Sequence, residues 1–257
     1  MLAVTSRALP FARIGPFALC VLHAASLSML GLAGAAEAGE SSRIEVFTGF
    51  EATDNAESGY LGFGYAFRNG LYESGWRLRA VTSLGRYDYS GSVFGNARQG
   101  DIEFDGDSLF GSALLGYQLR AGSLFVKLFA GVEAEDHEIQ PRDPQNSVQG
   151  SKLGARFVAE SWYELSPRWV FSLDAAYGTA FEEYWSLARM GYRLRPRLTI
   201  GLEGGALGNQ EYDAGRAGGF GRIDIRDLQV TLSGGFTGNY LEDEPSGYIS
   251  LGVYRPF

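Results

Sequence analysis

The sequence predicts an all-β protein: a transmembrane antiparallel up-and-down β-barrel of about 12 strands, preceded by a signal peptide. Three observations carry this expectation. Past residue 35, segments of roughly ten residues alternate between an apolar side and a charged or small side, which is the period of a strand. The connections between them alternate too, tight at one end and longer at the other. Finally, the 257-residue chain holds 36 Gly and 14 % aromatics but only 8 Pro. Beyond the leader it shows no apolar run approaching the ~18 residues of a membrane helix. There is no internal repeat and no low-complexity tract, so the chain reads as one domain.

Residues 1–35 read as the signal peptide. Arg7 and Arg13 form a basic n-region, and Phe17–Gly34 ("FALCVLHAASLSMLGLAG") is the apolar h-region. Ala33-Gly34-Ala35 and Ala36-Glu37-Ala38 both fit an A-x-A cleavage site. The alternative is an uncleaved anchor, because the h-region is long. Cys20, the single cysteine, lies inside this segment, and the apolar run continues past it, which argues against a lipoprotein. The mature chain would then be free of cysteine. That suits an oxidising compartment without supplying a disulfide framework. Residues 36–43 form a short lead, and 44–257 form the barrel. The formal net charge is −8, and loss of Arg7 and Arg13 with the leader makes it more negative still. Nucleic acid is therefore not an expected partner.

The predicted strands are 44–52, 58–67, 75–86, 106–118, 122–134, 150–164, 168–178, 182–194, 197–206, 214–225, 227–236 and 246–256. One face is apolar throughout: Leu61, Phe63, Tyr65 and Phe67; Trp76, Leu78 and Ala80; Leu109, Ala113, Leu115 and Tyr117; Leu124, Val126, Leu128 and Val132; Leu228, Val230, Leu232 and Phe236. The other carries Arg77, Arg79, Lys127, Lys152, Arg156, Glu160, Asp174, Glu203, Arg222 and Asp224, with Gly62, Gly64, Gly116, Gly131 and Gly201 between them. The segment "EYWSLARMGYRL" shows the rule most clearly. Trp185, Arg189 and Arg193 share one side, while Tyr184, Ala188, Met190, Tyr192 and Leu194 share the other, interrupted only by Ser186. If the apolar face meets lipid, the arginines point inward toward Glu160, Asp174, Glu203 or Asp224. On the lipid face each would cost ~2–4 kcal/mol near the midplane. The alternative is a soluble lipocalin-type barrel with its apolar face inside. Such barrels have about eight strands, and both the strand count and the sorting of connections disagree.

The tight connections are Arg120–Gly122, Leu165–Arg168, Arg195–Arg197 and Arg226–Asp227. The longer ones are Tyr87–Asp105, Glu135–Gln149, Leu207–Asp213 and Thr237–Pro245. Two connections blur the rule: Thr53–Glu57 is short on the long side, and Asn69–Ser74 is of middling length on the short side. At the C-terminus Phe257 is in phase with Ile249, Leu251 and Val253, which places a terminal aromatic on the lipid face.

No motif points to chemistry, so no catalytic, cofactor-binding or metal-ligating residue is expected. Asp101, Glu103 and Asp105, followed by Gly106, have the spacing of the first half of a calcium loop. The twelfth position is Ser112, so the closing bidentate Glu is missing and an acidic loop is the plainer reading. His137, the single histidine outside the leader, falls in a charged stretch read as a loop. A Ser/His pair on the outer face of a strand therefore cannot be assembled. Acid side chains dominate the long connections and Arg the tight turns, so the long-loop end would not repel a neutral polymer.

Three stretches resemble the cellulose biosynthesis protein BcsS family: "DPQNSVQGSKLGARFVAE" (Asp143–Glu160), "TAFEEYWSLARMGYR" (Thr179–Arg193) and "EGGALGNQEYDAGRAGGF" (Glu203–Phe220). The resemblance covers most of the chain after about residue 44 and brings no catalytic residues. It implies an outer-membrane barrel of a Gram-negative bacterium, an accessory of cellulose biosynthesis or secretion that is not an enzyme. Its expected partners are outer-membrane lipid and cellulose or other cellulose-synthesis components. A general small-solute porin or structural barrel is the alternative. Sugar rings stack on aromatic faces and their hydroxyls need polar partners. The candidate lumen and loop contacts are therefore Trp162, Trp185, Tyr87, Tyr89, Tyr212, Asn146 and Asn209, beside the inner charges Arg156, Glu160, Arg189 and Arg193.

Overall fold

The computed structural model describes residues 42–91, 102–239 and 242–257. The expected signal peptide, most of the expected lead and Asp101 lie outside the described residues. The strands are β1 (Ile44–Ala52), β2 (Ala56–Ala66), β3 (Gly75–Gly91), β4 (Ile102–Ala121), β5 (Leu124–Gln140), β6 (Gly150–Glu164), β7 (Trp169–Gly178), β8 (Tyr184–Arg195), β9 (Leu198–Gly208), β10 (Asp213–Ile225), β11 (Leu228–Asn239) and β12 (Glu242–Pro256). Each pairs antiparallel with its sequence neighbours, and β1 pairs with β12 to close the barrel. The seam runs from Glu45↔Pro256 to Ala52↔Ile249 and is locked where the Arg43 and Ile44 N–H groups donate to the Phe257 carbonyl at 2.9 and 3.1 Å. Closure removes the edge that lipid could not hydrogen-bond.

The register puts the predicted apolar face outside. Leu78, Leu109, Leu115, Leu128, Val132, Leu202, Leu232, Phe236 and Ile249 all stand exposed on it. Near the short-turn end this face carries the edge-to-face pairs Trp76–Tyr117 and Trp169–Tyr192, with ring centroids 5.6 and 5.1 Å apart. Such aromatics belong to the belt at a membrane interface.

Strand lengths differ around the ring. β7 has 10 residues, enough for a tilted strand to cross a bilayer, whereas β3, β4 and β5 have 17, 20 and 17. The excess rises at the long-loop end, where the outward side chains change character. Along the face that holds Leu84 and Leu109, the next positions are Arg86, Asp88, Asp105, Asp107, Asp136 and Glu138. Arg86 Nε meets Asp107 Oδ1 at 3.0 Å across this boundary.

This corrects the expected loops. Tyr87–Gly91 and Ile102–Asp105 belong to β3 and β4, with 92–101 outside the described residues; the first part of Glu135–Gln149 belongs to β5, and Thr237–Pro245 is mostly β11 and β12. Glu103 and Asp105 therefore lie on a strand rather than in a cation-binding loop. His137 lies on β5, contrary to the expectation that no strand carries a histidine, and its side chain points inward. The physical reason is that the projecting hairpins turn their outward side to water. Acids replace the aliphatic residues there, so the stretch loses the contrast that marked the membrane strands. At the other end, the turn at 67–74 folds back into the barrel. Arg77 donates to the Gly70 and Glu73 carbonyls at 3.0 and 2.5 Å, and Gln118 Nε2 donates to those of Leu71 and Glu73 at 2.8 and 2.9 Å.

Candidate functional site: the charged lumen

Inward positions follow from the same alternation that sends Leu and Phe outward. Glycines supply the room for long side chains on neighbouring strands. A side chain at Gly62 would collide with the Phe47 ring, and one at Gly116 with Phe129. Aromatic rings fill that space, and much of the remaining interior is filled by charge. Glu45 on β1 meets Lys127 on β5 at 3.3 Å, and Lys127 also reaches Glu160 on β6 at 3.5 Å. Glu160 pairs in addition with Arg79 on β3. Glu45–Lys127 and Arg79–Glu160 join strands well apart around the ring, so those side chains cross the lumen as chords, while Lys127 and Glu160 are cross-strand neighbours.

A second web centres on Glu203. It accepts from Arg189 Nε at 2.8 Å, Ser233 Oγ at 2.9 Å and Tyr248 Oη at 2.7 Å. Arg216 lies over the Tyr248 ring, 3.9 Å from its centroid, and joins Glu203 to Glu51 on β1 with a closest approach of 3.0 Å to the latter. Arg193 pairs with Glu164 near the short-turn end. Pairing of this kind offsets much of the cost of holding charges in so confined a space.

At the long-loop end the lumen is capped. Phe181, between β7 and β8, is fully buried against Val148 and Ala180, and its ring and that of His137 form a T-shaped pair with centroids 5.0 Å apart. Arg156 Nη1 holds Glu133 and Glu183 at 3.3 Å each, and Glu133 Oε1 accepts the Ala180 N–H at 2.9 Å. Partial desolvation at this end, where the Glu183 side chain keeps 36 % exposure, pushes its carboxyl above its ordinary pKa range. Arg156 opposes that shift, and the neighbouring Glu135 adds to it. The connection at 141–149 and the β9–β10 turn are joined where the Ser147 N–H donates to Glu211 at 2.8 Å. His137 has Tyr87 Oη 3.2 Å from Nδ1 and Glu135 3.7 Å from Nε2. Its cross-strand partner is Ser108, and the contacts of its two ring nitrogens are those with Tyr87 and Glu135. Among the described residues no group of three or more His, Cys, Asp or Glu is placed to hold a metal ion.

The sequence-predicted residues divide into three groups. Arg156, Glu160, Trp162, Trp185, Arg189 and Arg193 face the lumen. Trp185 packs on the inner apolar row of Phe129, Val158 and Ala176, and Trp162 lies beneath Arg222 with 4.4 Å from its ring centroid to Cζ. Tyr87, Tyr89 and Asn146 are buried at the long-loop end. Tyr89 Oη donates to Asp143 at 2.8 Å and accepts from Asn146 Nδ2 at 3.0 Å. Tyr212 and Asn209 shape the β9–β10 turn: Tyr212 Oη donates to the Gly238 carbonyl at 2.8 Å, and Asn209 Oδ1 accepts the Glu211 N–H at 2.9 Å. Missed in the sequence were Glu45, Glu51, Glu133, Arg216, Tyr248 and the plug residue Phe181. All but Phe181 were detectable, since carrying the two-residue period through their strands puts them in phase with the charged face.

A closed ring of antiparallel strands with an apolar exterior, an aromatic belt and a charged interior defines a β-barrel of the outer-membrane type. An outer membrane channel of Pseudomonas putida F1 shares this fold at a TM-score of 0.54, with 14% identity over 87% of this chain and 98% of that one. The β domain of the Bordetella autotransporter BrkA aligns at 0.50, with 12% identity over 84% of this chain and 100% of that one. No curated protein matches the sequence. The family model of the cellulose biosynthesis protein BcsS matches residues 45–257, and the chain belongs to that family.

Proposed function

We propose that this chain is a non-enzymatic accessory barrel of bacterial cellulose biosynthesis or secretion. In this reading it sits in the outer membrane of a Gram-negative bacterium after removal of residues 1–35, with its short turns on the periplasmic side. The family match over the whole barrel, residues 45–257, carries this reading. The interior supports an accessory rather than a wide conduit, because chords such as Glu45–Lys127 divide the lumen. Polymer contact then falls to the outer rim. Tyr212 and Asn209 stand there, while Trp162, Trp185, Tyr87, Tyr89 and Asn146 are committed to packing and to the lumen. Arg156, Glu160, Arg189 and Arg193 act as internal struts.

Deleting the gene in a cellulose-producing host and complementing it tests the proposal. Cellulose output, or its attachment to the cell surface, should fall and be restored by the wild-type chain. If both are unchanged on deletion, the cellulose role is wrong. The competing reading is a general small-solute porin, which requires an open lumen. Steady single-channel conductance of the purified barrel in planar bilayers, without effect of the deletion on cellulose, would establish it instead.

A further inference from the structure

Among the inward arginines, Arg79, Arg156, Arg189, Arg193 and Arg216 each have a carboxylate partner, and Arg77 is held by backbone carbonyls. Arg222 differs. It is 7 % exposed, its Nε is shielded and unpartnered, and among the described residues its guanidinium forms no ion pair or hydrogen bond. Its contact is the face of Trp162. Asp224, two positions on, is engaged by Gln229 Nε2 at 2.9 Å, and the Glu164 carboxylate is engaged by Arg193.

The side chains flanking Arg222 across the sheet are hydroxyls, which donate as well as accept. Its cross-strand partners are Thr199 on β9 and Thr231 on β11, and Thr199 is in turn opposite Arg193. Beyond Thr231 the row continues to Gly252, where the wall carries no side chain and a Cβ would meet nothing nearer than Tyr60 Oη at 3.9 Å. Arg222 lies three residues inside the end of β10, about 10 Å from the short-turn mouth. A buried guanidinium with no carboxylate in contact, and only the field of Asp224 two positions on to offset its charge, is costly, and the flanking threonine hydroxyls can add donors to an oxyanion held there.

We infer that Arg222, stacked on Trp162 and flanked by Thr199 and Thr231, is a subsite for a small oxyanion, carboxylate or phosphate, entering from the short-turn end. The inference is independent of the cellulose role. It is tested on the whole barrel refolded in detergent micelles and titrated with inorganic phosphate, then with acetate. Chloride holds the ionic strength constant, and the readouts are tryptophan emission and the urea midpoint. The wild type should respond saturably. Response to phosphate alone assigns a phosphate site, and response to both assigns a carboxylate-tolerant one. Arg222→Gln should weaken the apparent affinity about tenfold or more, and Trp162→Phe should remove the emission change but keep the midpoint shift. No saturable response in the wild type, or an equal response in Arg222→Gln, overturns the subsite. A loss of stability in Arg222→Gln that is the same with and without saturating phosphate also overturns it, because the arginine would then serve only a pair with Asp224. If Arg222→Gln does not fold, Thr199→Val decides: several-fold weaker phosphate binding supports the subsite, and unchanged binding refutes it.

Discussion

Replacing Arg156 by Met should destabilise the barrel strongly, and the structure sets the size of the effect. The Glu133 side chain has no solvent exposure, and Arg156 Nη1 at 3.3 Å is its cationic partner. Its other oxygen accepts the Ala180 N–H, which anchors the plug. Removing the arginine leaves a buried carboxylate uncompensated, at a cost of about 3–5 kcal/mol. It also frees Glu183 and uncovers the Phe110 ring, over which the guanidinium lies at 4.7 Å. The measurement is urea unfolding of the barrel in phospholipid vesicles, with Arg156→Met, Glu133→Gln and the double variant. Because the two groups act as a pair, the double variant should lose less than the sum of the single losses, by roughly 2 kcal/mol. A single-variant loss under about 1 kcal/mol, or strictly additive losses, would show that the pair is a solvated surface contact and that the plug is held by something else.

Three further outcomes follow from the same geometry. Leu202→Arg puts a charge on an exposed position of the lipid face of β9 and should cost ~2–4 kcal/mol in a bilayer; a neutral effect in the same vesicle unfolding assay would mean that this face does not meet lipid. Gly178→Ala places a Cβ against the Glu133 carboxylate and should cost about 1–3 kcal/mol, but much less in the Arg156→Met background; equal costs in both would separate Gly178 from the pair. Because the closed plug holds the Glu183 proton more tightly than an open one, closure is fully favoured below the ordinary carboxylate pKa and weakens as pH rises through the raised one. Solvent labelling of Val148→Cys should therefore speed up with pH beyond the thiol's own titration, and Glu183→Gln should abolish the excess; an identical pH profile in the two would refute the assignment.

The sequence by itself determined the class of fold and most of the strand plan. Alternation is a local property, and a lipid exterior imposes the same apolar sign on every outward position. The bounds 44–52 and 150–164 were therefore legible to the residue, and the inward placement of Arg189 and Arg193 could be read from Tyr184 and Met190 on the opposite side. Where β3, β4 and β5 leave the membrane, the outward sign changes from apolar to acidic. The same local rule then misread Tyr87, Glu103 and His137 as parts of loops. The tertiary structure alone decided which charges meet. Whether Lys127 finds Glu45, or Arg216 finds Glu51, depends on how far the closed sheet brings strands distant in sequence toward one another across the lumen. Each strand's sequence records only which face a side chain occupies. Pairing across the lumen is set by closure and register, so Arg222 left over Trp162 without a carboxylate could be seen only once every other inward arginine had found its partner.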